Sequence, residues 1–500
     1  MTNGPAGQLG GGAGGPRSGS VRPGSLWVIG FLAVLLLYAL TLAPDLVWQD
    51  SGDYQYAAAR LDLSRPGDAV RVHPWFLMAA HTLGLVPLWN YAYAANLASA
   101  IGMALAVANV LLLVRLMTVS TWAAAIAAVS FGIGHAVWAH AVMAETYGWA
   151  AAFLSAECLC AWAWLNKGRA RWLLLLFFVN GVAVSNHMMA SLSLAVFGVW
   201  MLAECIRRRA PWRTLPASLG GWLVGGTLYW IVLGMEYERS GSLAETLRSA
   251  TVGRWGIAIF NVADLPPLLG KSALYVMLNY PTPLIAAIFV GAAVLVRRRD
   301  ALSRLLVVLG GLYLAWAARY KVVDAYAFFI PFYVVASVMI GAGAAWLLGR
   351  RSRAWPAVLL AAAFLPVGVY AVLPAVAERL EYPKFSRRLP YRDPYVFFLR
   401  PWRTCDNSAR RFAEEVLDSL PPGAVLAADS TALPPLQCVH DLEHRRPDVT
   451  LGKPERLEGR RVFVTSDVAG YAPAWAVQNA RLEPFGLVWE AKPASKEGGS

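Results

Sequence analysis

Long apolar runs separated by short polar connections dominate the first three quarters of the chain. About 20 consecutive apolar residues are enough for a helix to cross a bilayer. On this criterion we predict about eleven membrane-spanning helices, over residues 25–43, 92–114, 121–140, 146–165, 172–189, 190–206, 215–234, 275–296, 302–318, 325–348 and 355–376. We expect the apolar stretch 73–88 to lie at the membrane surface or to re-enter it.

The N-terminal segment, residues 1–24, is rich in Gly, Pro and Ser, which predicts a disordered cytoplasmic segment. The first apolar run follows Arg17 and Arg22, which is typical of either a signal peptide or a membrane anchor. Pro44 directly after the run disfavours cleavage, and further spans follow, so we interpret it as a signal anchor. The membrane domain is then expected to cover residues 25–376.

The hydrophilic C-terminal segment, residues 377–500, is called the tail below. Its pattern predicts a small extracytoplasmic α/β domain, with helices over 407–420 and 434–446 and strands over 424–428, 461–465 and 487–490. It contains no glycine-rich phosphate-binding motif, so no nucleotide cofactor is expected.

Composition supports this division of the chain. Hydrophobic residues make up 57% of the sequence and charged residues 15%, against about 25% charged residues in ordinary soluble domains. These values exclude a soluble enzyme, a disordered chain and a disulfide scaffold. The five cysteines show no metal-binding spacing, although Cys405 and Cys438 in the tail could pair in an oxidising compartment.

The net charge of +13 would suggest nucleic acid as a partner of a soluble protein. However, residues 1–376 carry +12 of it and the tail only +1. With the N-terminus inside, the inner connections sum to +15 and the outer ones to −2. Because basic residues accumulate on the cytoplasmic side, we predict a multi-pass protein of the plasma (inner) membrane with the N-terminus in and the tail out. The excess then reports topology, and no nucleic acid partner is expected.

Two outer connections are long, 44–91 and 235–274. In the first, Asp50 and Asp53 are three residues apart, which places both carboxylates on one face of a helix. A carboxylate in a partly dehydrated site can act as a general base. Taken alone, the spacing favours a simple helix cap.

Other ionisable residues are predicted at the same membrane face. His73, with Arg65 and Arg71 before it, could hold a phosphate or simply be an interfacial histidine. Glu145 ends the third predicted span, where it is either functional or a solvated turn residue. Asn186 and His187 end another apolar run and could equally form a helix-packing hydrogen bond.

A last polar segment connects the ninth and tenth predicted spans. Arg319 and Lys321 lie at the outer surface against the positive-inside trend, which favours an anionic ligand. Asp324 and Tyr326 follow them. Glu157 is placed inside a span, where it is expected to pair with a neighbouring helix. The convergence of several loops on one face favours a functional site.

These residues belong to an ordered set of short motifs. In chain order they are Leu42-Ala-Pro44, Trp48-x-Asp50-x-Gly52-Asp53, His73-Pro74, Asn96-Leu-x-Ser99-Ala, Ala144-Glu145-x-Tyr147, Ser185-Asn186-His187 and Asp324-x-Tyr326-x-Phe-Phe-Ile-Pro331. The set resembles the polytopic bacterial membrane protein family related to the eukaryotic transmembrane O-mannosyltransferase, which belongs with the protein O-mannosyltransferases in the C-type glycosyltransferase (GT-C) superfamily. The resemblance extends over residues 40–390 and is strongest over 40–190.

The resemblance implies a GT-C-like membrane fold and sugar transfer from a polyprenyl-phosphate donor, with mannose as one candidate sugar. The acceptor would be a hydroxyl of a protein or glycan at the outer face, within reach of membrane lipids. The family's acidic motif maps onto Asp50 and Asp53, and Asp50 is the expected base because relatives carry a longer Glu at the position of Asp53. Relatives also carry His-Pro-Pro-Gly where this chain has His73-Pro74-Trp75.

An inverting mechanism is the corresponding hypothesis, in which Asp50 deprotonates the acceptor hydroxyl, as the base of an inverting glycosidase deprotonates water. Asp53 and Glu145 are expected to assist the base, or to hold a divalent metal if one is used. The donor phosphate is expected to be bound by His73, Arg319 and Lys321. The substrate is expected to be positioned by Asn186, His187, Asp324 and Tyr326.

Two functions of other classes compete with this hypothesis. A transporter or flippase of a lipid-linked or anionic substrate predicts internal repeats and polar residues at the membrane midplane, whereas the candidates lie at the outer rim. An envelope scaffold acting through the tail leaves the acidic loop unexplained.

Overall fold

The computed structural model describes residues 22–256, 264–322, 324–350, 355–452 and 460–493. Most of the N-terminal segment 1–24 therefore lies outside the described residues. In chain order the helices are α1 (Pro23–Leu40), α2 (Gln49–Arg60), α3 (Pro74–Gly84), α4 (Tyr91–Thr118), α5 (Thr121–Gly132), α6 (His135–Ala141), α7 (Tyr147–Lys167), α8 (Arg171–Asn186), α9 (Ala190–Ile206), α10 (Thr214–Gly225), α11 (Thr227–Ser240), α12 (Leu243–Thr251), α13 (Leu265–Asn279), α14 (Ile285–Arg298), α15 (Ala301–Arg319), α16 (Ile330–Leu348), α17 (Trp355–Arg379), α18 (Pro394–Leu399), α19 (Ser408–Ser419), α20 (Leu433–Gln437) and α21 (Ala474–Asn479). Single turns of tighter or wider helix cover Ala69–Arg71, Ala325–Phe329 and Cys438–Leu442.

Among the described residues, six helical stretches are long and apolar enough to cross a membrane: α1, α4, α7, α15, the stretch Ala325–Leu348 that contains α16, and α17. Two bent pairs would each add one span, α5 with α6 at 67° and α10 with α11 at 66°. Helices α8 and α9 are apolar but shorter. The chain is a multi-pass α-helical membrane protein, as predicted, and the number of eleven spans stays a prediction.

The predicted span 275–296 is wrong as a single helix. Helix α13 ends at Asn279 and α14 begins at Ile285. Pro281 and Pro283 lie between them. Proline lacks the backbone N–H that a helix interior needs and disfavours helical backbone in the residue before it. Hydropathy alone does not register this break.

Helix α16 lies at the centre of the bundle, and every residue from Ile330 to Ala344 is buried. Near it, α4 and α7 approach so closely that glycine is required at the contact. A Cβ on Gly102 would lie 2.8 Å from the backbone nitrogen of Trp149, and one on Gly148 would lie 2.6 Å from the carbonyl oxygen of Ser99. Small residues permit such close helix packing in membranes, and here they bring Ser99 of α4 against the start of α7.

The buried Glu157 of α7 accepts a hydrogen bond from Asn180 of α8, with 2.9 Å between Oε1 and Nδ2. The predicted pairing with a neighbouring helix is therefore confirmed.

In the described part of the tail, five strands form one sheet in the order β2-β1-β3-β5-β4. The strands are β1 (Val425–Ala427), β2 (Thr450–Leu451), β3 (Val462–Val464), β4 (Ala480–Phe485) and β5 (Val488–Pro493). Strands β2, β1 and β3 are parallel, whereas β5 runs antiparallel to β3 and β4. Helix α19 and strands β1, β3 and β5 fall where the sequence predicts them, and β2 and β4 were not predicted.

Two details of the tail differ from expectation. The predicted helix over 434–446 is shorter, with α20 ending at Gln437 and one wide turn following to Leu442. Cys405 is exposed and Cys438 is buried, and both are free thiols, so the considered disulfide is not formed.

Candidate functional site

The two candidate acids lie at the start of α2, in the loop that follows α1. Trp48 precedes this helix and offers no side-chain cap. Asp50 is in the first turn, where the helix dipole favours a carboxylate. Its Oδ1 accepts a hydrogen bond from the guanidinium of Arg71. Asp50 therefore has a partner across the loop, which a simple cap would not need.

Helix α2 has three different faces because residues three or four apart lie on the same side of a helix. Ser51 and Gln55 face helix α4 and the junction between α6 and α7. Gly52 faces the tail. Asp50 and Asp53 remain on the third side, toward the arginines of their own loop.

Each acid has its own arginine. The Asp53 carboxylate lies 2.7 Å from Arg65, and the Asp50 carboxylate lies 3.3 Å from Arg71. The side chain of Asp50 is 43% exposed and that of Asp53 is 21% exposed. Partial loss of contact with water raises the pKa of the Asp50 carboxyl above its usual range, and the positive charge of Arg71 offsets part of that rise. Asp50 is thus the less constrained and more accessible of the two.

Glu145, at the junction between α6 and α7, contacts the helix that carries both acids. Its Oε1 accepts a hydrogen bond of 3.0 Å from Ser51, and its backbone N–H donates one of 2.7 Å to Ser99. The residue is buried. Burial, and secondly the nearby charge of Asp50, raise the pKa of the Glu145 carboxyl well above its usual range, so its neutral form is favoured.

The predicted histidines form a stacked pair, with ring centroids of His73 and His187 4.9 Å apart. His73 Nδ1 donates to the carbonyl of Asn186 at 2.7 Å, which leaves its Nε2 with a free lone pair. Burial, and secondly His187, lower the pKa of His73 well below its usual range. Burial alone lowers the pKa of His187 to about 4. Both rings are therefore neutral near pH 7.

Asn186 fixes this region to α7, since its side-chain amide donates 3.0 Å to the carbonyl of Thr146. Its Oδ1 is buried and has no hydrogen-bond partner among the described residues. A buried acceptor of this kind is available for a ligand that donates a hydrogen bond.

The segment after α15 contributes Asp324. Burial, and secondly the charge of Asp50, raise the pKa of the Asp324 carboxyl to about 6. The two carboxylates are therefore close enough to repel each other. Tyr326 instead packs against aromatic rings, with its centroid 5.1 Å from that of His140 and 6.0 Å from that of Tyr275.

The two cations predicted to bind phosphate are placed differently. Lys321 is exposed and forms an ion pair of 2.8 Å with Asp264. Arg319 ends α15 and forms no ion pair with any residue that the structure describes. The cations beside the acids are Arg71 and Arg65. The sequence analysis named these two only as neighbours of His73, and the signal that could have found them is their position in the same loop as the acids.

The tail packs directly on α2. The indole N–H of Trp48 donates 2.8 Å to Ser408, and the backbone N–H of Gln49 donates 3.1 Å to the carbonyl of Thr431. A Cβ on Gly52 would lie 2.9 Å from the Cβ of Pro434. Glycine is thus required where α20 crosses the helix that bears the acids.

An ionic network extends this contact. Arg410 of α19 pairs with Asp45 and makes two bonds of 2.9 Å to the carboxylate of Glu443. The hydroxyl of Tyr91, at the start of α4, donates 2.8 Å to the same carboxylate. Arg410 and Asp45 are 365 residues apart in sequence, and Tyr91 and Glu443 are 352 apart, so the sequence analysis did not connect the tail with these residues.

A divalent metal would need several acidic or imidazole ligands around one point. Across the described ranges, no three His, Cys, Asp or Glu side chains form such a group. Asp50 and Asp53 face guanidinium groups instead. The arrangement does not fit a metal, and no chemical step is derived through one.

Part of the chain is similar to a known protein family. Residues 50–209 match the family model of the protein O-mannosyl-transferase TMEM260 N-terminal domain. The matched segment includes both acids, His73, Glu145, Asn186 and His187. The predicted resemblance to this family is confirmed. No curated protein matches the sequence significantly.

Two crystal structures share the fold over nearly the whole chain. ArnT from Cupriavidus metallidurans in the apo state is 16% identical with a TM-score of 0.56, covering 94% of this chain and 98% of that one. The same protein bound to undecaprenyl phosphate is 14% identical with a TM-score of 0.56, covering 96% and 100%. The oligosaccharyltransferase of Archaeoglobus fulgidus is 16% or less identical to this chain, and its apo form gives 14% identity and a TM-score of 0.46 over 86% of this chain and 64% of that one.

Proposed function

We propose, from the match of residues 50–209 to the O-mannosyltransferase family, that this membrane glycosyltransferase moves a sugar from a polyprenyl-phosphate donor to an acceptor hydroxyl. The observation that carries the proposal is the cluster at the start of α2, where Asp50 and Asp53 lie beside Arg71 and Arg65 above the buried Glu145. The ArnT neighbour, which binds undecaprenyl phosphate, supports a lipid-phosphate donor. The family match supports a protein acceptor and mannose as the sugar.

Asp50 is the proposed general base. It removes the proton of the acceptor hydroxyl, whose oxygen forms the new bond at the anomeric carbon. The bond from that carbon to the phosphate oxygen breaks with inversion, and the lipid phosphate leaves. Asp50 suits this role better than Asp53 because its ion pair is longer and its side chain is more exposed.

The leaving phosphate needs positive charge. We assign this role first to Arg71 and Arg65, which lie next to the acids, and keep Arg319 as a third candidate because its guanidinium is not committed to an ion pair within the described part of the chain. Lys321 would have to leave Asp264 to contribute. His73 is neutral near pH 7, so we propose that it positions the donor through Nε2 instead of supplying charge.

The remaining candidates are proposed to position the reactants. Asn186 offers its free Oδ1, Asp324 lies near the base, and Glu145 supports α2 through Ser51. His187 stacks on His73, and Tyr326 shapes the aromatic wall of the site. We propose that the site faces the extracytoplasmic side of the plasma membrane, with the N-terminus in and the tail out, because the outer connections lack the basic excess of the inner ones.

The proposal is tested with the purified full chain and radiolabelled polyprenyl-phosphate mannose. We expect Asp50→Asn to reduce transfer by about 10²- to 10⁴-fold, the range typical of losing a general base, while membrane insertion is unchanged. The matched control is Asp62→Asn, since Asp62 lies in the same loop and only bonds the backbone of Ser64. Transfer at the wild-type rate by Asp50→Asn would overturn the assignment of the base.

A further inference from the structure

A cavity lies in the tail, beyond the carboxyl end of strand β3, which is parallel to β1. It is open to solvent and has a volume of about 440 Å³. Its walls come from residues 386–390, residues 465–468, Leu487 and Trp489. In open α/β sheets, ligands bind outside the carboxyl ends of parallel strands. The volume is in the range of pockets that hold small organic ligands.

Arg387 is the buried polar group of this cavity, with its side chain only 9% exposed. Its Nη2 lies 2.9 Å from the Asp429 carboxylate and 3.2 Å from the carbonyl oxygen of Thr465. Its guanidinium lies 4.9 Å from the ring centre of Tyr471. The second terminal nitrogen, Nη1, is buried and has no hydrogen-bond partner among the described residues. Buried donors are normally satisfied, so Nη1 lacks an acceptor that a ligand can supply.

The charges of the cavity are balanced without an anion. Asp429 neutralises Arg387 and also accepts 2.8 Å from the hydroxyl of Thr465. At the rim, the exposed Arg388 and Asp467 have opposite charges. A neutral ligand rich in hydroxyl oxygens therefore fits better than a second carboxylate or a phosphate.

The other walls are apolar. Trp489, Leu487 and Pro390 also line the cavity. The hydroxyl of the buried Ser466 accepts from the N–H of Val468, which leaves its proton free to donate. A sugar ring presents C–H groups on its faces and hydroxyl groups at its edges. We propose that this cavity is a saccharide-binding site, with Trp489 against the ring and Arg387 Nη1 donating to a hydroxyl oxygen.

The cavity is connected to the helix that bears the acids. Asp429 Oδ1 accepts 2.9 Å from the N–H of Thr431, and the carbonyl of Thr431 accepts from the N–H of Gln49, directly before Asp50. A saccharide bound in the tail would thus be fixed relative to α2. Its use as an acceptor subsite rests on the proposed function, whereas the binding itself does not.

Binding is measured by calorimetry on the detergent-purified full chain, with methyl α-mannoside, methyl β-glucoside, methyl β-galactoside and sodium phosphate as probes. We expect at least one glycoside to bind the wild type and the Asp50→Asn variant equally. Affinity should fall at least about tenfold, or 1.4 kcal/mol, in Ser466→Ala and in Trp489→Leu, which remove the free hydroxyl and the aromatic ring of the cavity. The matched control is Arg481→Ala, on the exposed strand β4 outside the cavity lining.

Arg387→Ala leaves Asp429 buried without its partner and is expected to unfold the tail, which is why Ser466 and Trp489 are changed instead. The inference is overturned if none of the glycosides binds, if both variants bind as tightly as the control, or if phosphate binds in their place. These outcomes leave the transfer assay on Asp50→Asn unaffected. Conversely, intact glycoside binding with wild-type transfer by Asp50→Asn would overturn only the proposed base.

Discussion

The membrane domain and the tail hold opposite sides of α2 by different kinds of interaction. On the membrane side the contacts are uncharged and buried, as with Gln55, whose Oε1 accepts 3.0 Å from the N–H of Val47 and whose Nε2 donates 3.0 Å to Asn96. On the tail side, ionic and partly exposed pairs such as those of Arg410 are added to the buried contacts of Trp48 and Gly52. Buried hydrogen bonds are costly to leave unmade, whereas exposed ion pairs are weak and screened by salt. We therefore expect the membrane side to hold Asp50 and Asp53 in position and the tail side to make a smaller contribution to that position.

The largest effect is expected where both sides meet α2. A Cβ on Gly52 would collide with the carbonyl oxygen of Val47 and with Pro434, so Gly52→Ala must displace the helix. Misplacing a reacting group by about 1 Å costs on the order of 10²-fold in rate, and we expect a loss of that size in the transfer assay. The control is Gly84→Ala, whose Cβ would find only ordinary contact with Ala94. Equal activity of the two variants would mean that α2 is not tightly enclosed.

Breaking the membrane side alone should destabilise the fold. Gln55→Leu keeps the approximate shape of the side chain but leaves the N–H of Val47 and the amide of Asn96 without their partner. We expect a loss of about 3 kcal/mol in the free energy of unfolding, measured by thermal or denaturant unfolding in detergent. The control is Gln49→Leu on the same helix, whose side chain forms no hydrogen bond with the described residues. A loss below about 0.5 kcal/mol would remove the asymmetry between the two sides.

Breaking the tail side should have a smaller and salt-dependent effect. Arg410→Ala removes the pairs with Asp45 and Glu443, and we expect the tail to be released more easily, by about 1 kcal/mol. Limited proteolysis of the tail at low and high salt measures this. The difference from wild type should shrink as salt rises.

The control for this experiment is Arg461→Ala, which removes an exposed pair with Glu490 inside the sheet of the tail. It should leave release of the tail unchanged. An Arg410→Ala effect that does not depend on salt would show that packing, not charge, attaches the tail.

The parts of the structure that could be predicted from the sequence are those determined by local patterns, and most of these lie in the membrane domain. Apolar runs are local, so the spans that coincide with α1, α4 and α7 could be located from hydropathy alone. The acids were found because Asp50 and Asp53 are neighbours in sequence. The contact between Trp48 and Ser408 joins residues 360 positions apart. No local pattern reveals a contact of that kind, and the sequence analysis accordingly left the role of the tail open.

The phosphate-binding prediction illustrates a second limit. Lys321 was chosen because a cation at the outer surface is unexpected. Its charge is matched by Asp264, which is 57 residues away in sequence, so the spacing along the chain does not reveal this ion pair. Charge counting detects an unusual residue and does not identify its partner. Arg71, in contrast, lies beside Asp50 because both belong to one compact loop.

The smallest expected effect is a shift in pH dependence, and it compares the two arginines within that loop. A general base works only when ionised, so transfer should fall as pH falls through the pKa of Asp50. The positive charge of Arg71, and less so that of Arg65, lowers this pKa, while the charge of Asp53 raises it. In a profile of kcat/KM against pH, Arg71→Gln should therefore move the acid limb to higher pH, and Arg65→Gln should move it less. Asp53→Asn is the control of opposite sign, because removing a negative neighbour lowers the pKa of Asp50 and moves the limb to lower pH. An acid limb that stays in place in all three variants would assign the titrating group to another residue. Whether Asp50 or Asp53 is the base would then have to be decided by measuring transfer in their individual Asn variants.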